Sequence, residues 1–167
     1  MTKPQVGIVI GSISDRECIM ETCKILDFFG IRYELTVCSA HRTPDKAVEY
    51  AGSAAKRGLE IIIAGAGAAA HLGGVLASHT LIPVIGVPIP SSELKGVDAL
   101  YSTVQMPGGI PVATMAIGKG GAKNAGILAA EILALKNPSL IKKLKEYRKG
   151  LANKVEKDNK KLKSLLF

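Results

Sequence analysis

Three reactive side chains follow a predicted strand in the segment Ser39-Ala-His-Arg42. An arginine binds phosphate or carboxylate in a bidentate manner, and a histidine titrates near neutral pH, which suits proton transfer. The alternative is that His41 and Arg42 are solvated loop residues, followed by a helix N-cap at Thr43 and Pro44. We favour a functional turn, because three reactive groups meet where a ligand is expected.

A second turn between a strand and a helix is Gly11-Ser-Ile-Ser-Asp15. Backbone amides and hydroxyls at a helix N-terminus favour an anion, most often phosphate, and Asp15 can accept hydrogen bonds from sugar hydroxyls. The alternative is that Ser14 or Asp15 only caps the helix. The GxxxxGK[ST] phosphate-binding motif is absent from the sequence, and Gly118-Lys119-Gly120 matches only its Gly-Lys pair.

The segment Gly65–Gly74 contains four glycines and four alanines around His71. Small residues let a ligand approach the backbone closely, and their N–H groups can hold an anion. A nicotinamide cofactor is not indicated, because Ala70 occupies the third glycine position of the dinucleotide fingerprint and no acidic ribose reader follows. Tight helix–sheet packing, with His71 as a buried structural residue, is an equal alternative. We interpret His79 as structural.

The three cysteines, Cys18, Cys23 and Cys38, include no C-x-x-C pair, which fits a reducing cytoplasm better than a disulfide scaffold. Cys18 and Cys23 fall on a predicted helix and are interpreted as core. Cys38 lies near His41 in the sequence, but this spacing alone does not indicate a Cys/His nucleophile. The sequence shows no serine-hydrolase signature and no metal-ligand spacing.

The chain has 167 residues, of which 47% are hydrophobic and 22% charged, and this composition predicts a single domain with a real core. Residues 1–135 hold 11 basic and 11 acidic side chains, so the net charge of +8 lies in residues 136–167. A basic nucleic-acid stripe across the fold is therefore disfavoured. No signal peptide or membrane-spanning run is visible, and a cytoplasmic location is expected.

Strand, turn and helix alternate along residues 6–135. Strands are predicted at 6–10, 33–37, 61–64, 84–87 and 111–117, with a possible short helix at 98–104. This order predicts a parallel sheet with helices on both faces. Ligands of such sheets bind beyond the carboxyl ends of the strands, and the unusual residues concentrate after strands 1, 2, 3 and 5.

A basic amphipathic helix is predicted at 139–165. We expect its apolar stripe to dock on its own body or on a neighbouring subunit. Binding to anionic lipid or nucleic acid is the alternative. The stripe consists of Leu140, Leu144, Tyr147, Leu151, Val155, Leu162 and Leu165.

Several segments together resemble the small carboxylase/mutase family of purine biosynthesis, and most closely its unfused bacterial class, the N5-carboxyaminoimidazole ribonucleotide mutases. The resemblance covers about residues 5–135. It includes the turns at 11–15 and 39–44, Ala64-Gly-Ala-Gly67 with Ala69-Ala-His-Leu72, Pro83-Val-Ile-Gly-Val-Pro88, Val104-Gln-Met-Pro107 with Ile110-Pro-Val-Ala113, and Gly118 to Ala130.

The resemblance implies an isomerase that moves a carboxylate from the exocyclic nitrogen of an aminoimidazole ribonucleotide to the adjacent ring carbon, without ATP, biotin, metal or other cofactor. It implies a homo-octamer whose partner is a small-molecule ribonucleotide rather than nucleic acid or membrane. Combined with the strand order, it predicts a three-layer α/β sandwich with a flavodoxin-like, five-stranded parallel sheet. Residues 1–167 are expected to form one domain, with 138–167 as the C-terminal helix.

By the same resemblance, His41 is the proton shuttle. The substrate-binding residues that it implies are Ser12, Ser14, Asp15, Ser39, Arg42, Gly65, Gly67 and His71.

Two positions depart from the family pattern: Gly73 stands where proline is usual, and Ala68 stands where glycine is common. Arg42 favours the mutase over the carbon-dioxide-dependent carboxylases, which commonly have lysine there. That carboxylase, a non-catalytic nucleotide-binding module, and a membrane- or RNA-associated protein acting through the basic tail are the alternatives.

Overall fold

The computed structural model describes residues 3–165, and its sheet has five parallel strands in the order β2-β1-β3-β4-β5. This confirms the predicted parallel sheet of a flavodoxin-like fold. The strands are β1 Val6–Ile10, β2 Tyr33–Val37, β3 Ile61–Gly67, β4 Val84–Ile89 and β5 Ala113–Thr114.

Six α-helices and one short 3-10 helix connect and follow the strands in the described residues. The 3-10 helix is Ile13–Asp15; the α-helices are α1 Arg16–Phe29, α2 Pro44–Arg57, α3 Leu72–Ser78, α4 Val97–Val104, α5 Lys119–Ala134 and α6 Pro138–Lys163. Gly30 and Gly58 end α1 and α2 in the left-handed conformation, as expected for glycine after a helix.

Both faces of the sheet are covered, which explains the continuous apolar runs in the central strands. On one face, Val9 packs in a buried cluster with Ala47 and Ala51 of α2 and Leu76 of α3. On the other face lie α1 and α5, which approach closely because Gly126 has no Cβ to contact Ile25, and the Thr22 hydroxyl donates a hydrogen bond of 2.6 Å to the Ala122 carbonyl.

The chain leaves β1 for β2 on one side and then crosses to β3 on the other side. The carboxyl ends of β1 and β3 therefore flank the topological switch point, where such sheets bind ligands. Three strand lengths differ from expectation. β3 continues to Gly67 and β4 to Ile89, because these segments pair in register, whereas β5 shortens to Ala113–Thr114.

The chain divides into two compact units at Ala129–Ala130. The first unit holds the whole sheet. In the second, the Asn137 side chain accepts a hydrogen bond of 3.2 Å from the Ser139 amide and so caps α6. Leu140 and Leu144 are buried, while the stripe residues from Leu151 onward that the structure describes are exposed. Within residues 3–165, no helix is apolar over a length that would cross a bilayer.

Candidate active site

A cavity of about 300 Å³ lies at the carboxyl edge of the sheet, between the loops that follow β1, β2, β3 and β4. We call it the edge cavity. It brings together eight of the nine site residues predicted from the sequence, which lie far apart along the chain: Ser12, Ser14, Asp15, Ser39, His41, Arg42, Gly67 and His71.

The turn after β1 is held by a reciprocal pair of hydrogen bonds. The Ser12 amide donates to Asp15 Oδ2 at 3.0 Å, and the Ser14 amide donates to Ser12 Oγ at 3.4 Å. The two serine hydroxyls are 2.9 Å apart. This capping box starts the 3-10 helix and at the same time turns the hydroxyls and the carboxylate toward the edge cavity. Capping and a ligand role are therefore compatible here.

Asp15 is a buried carboxylate on the cavity wall, with 4% of its surface exposed. Burial raises its pKa, because it penalises the charged form, while the hydrogen bond from the Ser12 amide and the charge of Arg42 act in the opposite direction. Because burial removes water from this carboxylate, hydrogen bonds donated by hydroxyl groups of a ligand would stabilise its charged form.

Arg42 ties the turn after β2 to the turn after β1. Its amide and its Nε donate to Ser39 Oγ at 3.2 and 3.4 Å, and its Nη2 donates to the Gly11 carbonyl at 3.2 Å. These contacts fix the guanidinium at the cavity and leave its other N–H groups for an anionic ligand.

The predicted positions of the cap at Thr43 and of Pro44 as the first residue of α2 are confirmed. Thr43 stands at the N-cap of α2, but its side chain makes no capping hydrogen bond. Instead, Thr43 Oγ1 donates to the Ser39 carbonyl at 3.0 Å and accepts from the Ser39 amide at 3.1 Å. The Thr43 hydroxyl therefore links the two ends of the turn 39–43. The helix begins at Pro44 without a side-chain capping hydrogen bond.

The two histidines of the cavity contact each other. His41 Nε2 lies 2.9 Å from His71 Nδ1, and the rings are nearly perpendicular, at 89°. One ring donates and the other accepts, so each selects the tautomer of its neighbour. His71 is brought there by the loop after β3, in which Ala68 adopts the left-handed conformation at φ 52°.

The two glycines predicted to complete the site have different surroundings. Gly67 lies on the cavity wall, but Gly65 does not. A Cβ on Gly65 would lie 3.1 Å from both Ile19 and Ile89, so this glycine serves the packing below the cavity. Its carbonyl accepts a hydrogen bond of 3.1 Å from the Gly11 amide, which joins the β1 and β3 edges.

Other candidates from the sequence lie away from the edge cavity. His79 is exposed at the C-terminal end of α3. All three cysteines are buried free thiols, and burial raises the pKa of Cys18 and Cys23, as expected for core residues. Lys119 pairs with Glu17 at 2.6 Å on the surface.

Sequence reasoning missed Ser91, which reaches the cavity wall from the loop after β4. The signal was present, since serines follow a predicted strand and Pro90. These serines could not be assigned to the site from the sequence, because the order of elements along the chain does not show that β4 lies beside β3.

Comparison with known proteins shows the family to which the chain belongs. A family model described as AIR carboxylase matches residues 5–154. The N5-carboxyaminoimidazole ribonucleotide mutase of Thermotoga maritima is 57% identical over 152 residues, which cover 91% of this chain and 88% of the relative. The protein of the same name from Bacillus subtilis is 55% identical over 148 residues, covering 89% of this chain and 91% of the relative.

Among solved structures, PurE of Treponema denticola matches with a TM-score of 0.85 at 32% identity, covering 96% of this chain and 99% of that chain. Sequence and fold thus point the same way over nearly the whole length. The chain belongs to the AIR carboxylase family.

Proposed function

We propose that this protein is an N5-carboxyaminoimidazole ribonucleotide mutase of purine biosynthesis. It is an isomerase: it moves the carboxylate of a carbamate from the exocyclic nitrogen to the adjacent imidazole carbon. The observation that carries the proposal is the edge cavity, which sets a pair of hydrogen-bonded histidines beside hydroxyl, guanidinium and carboxylate groups suited to a phosphoribosyl group. More than half of the residues are shared with mutases over most of the chain.

Substrate binding follows from the chemistry of the wall. Arg42 and the hydroxyls of Ser12, Ser14 and Ser39 hold the phosphate, since a guanidinium and neighbouring hydroxyl donors match phosphate oxygens. Asp15 accepts hydrogen bonds from the ribose hydroxyls. The backbone at Gly67 allows the ligand to approach closely.

His41 carries the proton in both halves of the reaction. As the carbamate C–N bond breaks, its electron pair returns to nitrogen, which takes a proton from the His41 imidazolium, and carbon dioxide is released within the cavity. The adjacent ring carbon then attacks carbon dioxide, and the new C–C bond forms. His41 removes the proton of that ring carbon and regains its charge, so no net proton or electron is consumed.

His71 orients the His41 ring rather than moving the proton itself. Its Nδ1 holds His41 Nε2 at 2.9 Å, which fixes the ring in the cavity. The wall beside the histidines consists of small and apolar side chains, Ala66, Ala69 and Leu72. Such a wall keeps carbon dioxide against the ring and limits access of water.

The assembly is a homo-octamer in the cytoplasm. The exposed apolar side chains of α6, with Val155 66% exposed, support docking on neighbouring copies. The three free thiols support a reducing compartment.

The test is a choice of substrates without ATP. The protein is mixed with the carbamate ribonucleotide, and separately with the uncarboxylated ribonucleotide plus bicarbonate at modest concentration, while absorbance follows the carbon-carboxylated product. Conversion of the carbamate faster than its spontaneous breakdown supports the mutase. Efficient conversion only from the uncarboxylated ribonucleotide identifies a carboxylase instead. No conversion of either, with ribonucleotide still bound, identifies a binding module.

A further inference from the structure

Ser91 lines the edge cavity from the loop after β4, whereas Arg42 lines it from the loop after β2. β4 lies beside β3, and Arg42 follows β2, so two strands separate the two residues at the carboxyl edge. Both side chains reach inward from these strands: Arg42 Nη2 donates to the Gly11 carbonyl at the end of β1, and Ser91 Oγ lies over Gly67 at the end of β3. They therefore line the edge cavity at the ends of two neighbouring strands.

The Ser91 hydroxyl is held against the backbone of β3. Gly67 has no Cβ, and Ser91 Oγ occupies the space that a Cβ would fill. The Ser91 amide donates to the Ile89 carbonyl at 2.9 Å, which anchors the residue to the end of β4. Within residues 3–165, no protein group forms a hydrogen bond with this hydroxyl.

The neighbouring serine has a different task. Ser92 Oγ accepts a hydrogen bond of 3.2 Å from the Leu94 amide, and the Ser92 carbonyl accepts one of 3.0 Å from the Lys95 amide. A hydrogen bond with Ser92 also lowers the pKa of Asp98. Ser92 thus builds the turn that presents Ser91, and it does not line the edge cavity.

We propose that Ser91 Oγ donates a hydrogen bond to an anionic oxygen of the bound ribonucleotide. The inference rests on the proposed function, which supplies two anionic groups, the phosphate and the migrating carboxylate. The Ser91 hydroxyl lies on the wall of the edge cavity, packs on Gly67 and forms no hydrogen bond within the described protein. It can therefore donate a hydrogen bond to a ligand without breaking one that stabilises the fold. Arg42 and Ser91 then bind the ligand from two different loops, those after β2 and after β4.

The test compares Ser91→Ala with Ser92→Ala in the full-length protein. Titration calorimetry measures binding of the carbon-carboxylated ribonucleotide, called the carboxylated ribonucleotide below, and of the uncarboxylated ribonucleotide. Loss of a hydrogen bond to a charged group weakens binding of the carboxylated ribonucleotide by about 10- to 100-fold in Ser91→Ala. Ser92→Ala lowers the melting temperature through its turn and keeps ribonucleotide affinity within about twofold, since Ser92 has no wall contact.

Comparison of the two ligands shows whether Ser91 binds the phosphate or the carboxylate. If Ser91 binds the phosphate, Ser91→Ala weakens both ribonucleotides equally; if it binds the carboxylate, only the carboxylated one is affected. Wild-type affinity of Ser91→Ala for both ligands, or a loss matched by Ser92→Ala, would overturn the inference. Carbamate conversion by the wild-type protein tests the proposed function separately, and a wild-type protein that binds neither ribonucleotide overturns both.

Discussion

His41 Nε2 and His71 Nδ1 lie 2.9 Å apart although 30 residues separate them in the chain. The contact joins the turn after β2 to the loop after β3 across the end of β1. It sets an orientation for His41 that neither loop imposes by itself. Under the proposed function, His41 moves the proton and His71 holds the His41 ring in place.

His41→Asn should abolish turnover while leaving ligand affinity nearly unchanged. Asparagine retains a polar group of similar reach but cannot act as an acid at neutral pH, so kcat falls by about 10²- to 10⁴-fold. Stopped-flow absorbance gives kcat, and calorimetry gives affinity for the carboxylated ribonucleotide. His79→Asn is the matched control, because His79 is exposed and outside the edge cavity. A His41→Asn enzyme with wild-type kcat would remove His41 from the mechanism.

His71→Asn should reduce kcat less than tenfold. A single hydrogen bond that orients a neighbour contributes about 1 kcal/mol, which corresponds to a factor of roughly five. If His71 only orients His41, the pH profile of kcat should keep the shape that the wild-type protein shows. If His71 relayed the proton instead, its loss would equal that of His41→Asn, and the profile would change shape.

Asp15→Asn should stabilise the free protein at neutral pH. Burial raises the folded-state pKa of Asp15 above its unfolded value. The stability linked to this group is complete below the unfolded pKa and is lost as pH rises through the folded pKa. Asparagine does not ionise, so it escapes that loss, and it can still accept the Ser12 amide hydrogen bond.

Urea unfolding at neutral pH and near pH 3 tests this prediction. The variant should have the higher midpoint at neutral pH, with a smaller difference at low pH, where wild-type Asp15 is itself protonated. The same substitution should weaken ribonucleotide binding, because an amide is a poorer acceptor for ribose hydroxyls. A variant that is less stable at neutral pH would show that the charge of Arg42 outweighs burial.

The sequence was sufficient for most of the fold, because apolar runs, helix caps and Gly30 and Gly58 act locally. It also indicated which turns meet at the cavity, since carboxyl ends of parallel strands share an edge, while the resemblance to the family implied the individual site residues. It was insufficient where partners are distant. β3 extends to Gly67 only because β4 pairs with it, and Ser91 joins the cavity only because β4 lies next to β3.

Side-chain direction was likewise hidden from the sequence. Thr43 has the right type and position for a helix cap, yet its hydroxyl turns back to Ser39. Gly65 and Gly67 look alike in the sequence and share one face of β3, but Gly65 lies inside the strand beneath Ile19 and Ile89, whereas Gly67 ends the strand at the cavity wall. Both distinctions depend on which neighbour is nearer in three dimensions.

Gly73→Ala should stabilise the protein by about 0.5–1 kcal/mol, because glycine in a helix loses more backbone entropy than alanine. Gly73 lies in the first turn of α3, and an added Cβ would meet Val112, Ala64 and Thr103 at 3.5 to 3.9 Å, which is ordinary contact. Urea unfolding measures the change.

Gly126→Ala is the opposite case in another helix. Its Cβ would lie 2.9 Å from Ile25 and 3.1 Å from the Thr22 carbonyl, so α1 and α5 would have to separate. We expect a loss of about 1–3 kcal/mol from this overpacking. Destabilisation by both substitutions would show that the first turn of α3 requires glycine.

Charge on the apolar stripe of α6 should break the proposed octamer. Leu151 and Val155 are exposed by 47% and 66% in the single chain, and burial between copies would explain why a lysine-rich helix retains them. Replacing both by lysine places two charges in that contact, so size-exclusion chromatography with light scattering should show smaller species. Asn153→Lys adds a charge on the opposite face of the same helix and should leave the mass of eight chains unchanged. A monomeric wild-type protein would refute the octamer, and an octamer that tolerates both lysines would place the contact elsewhere.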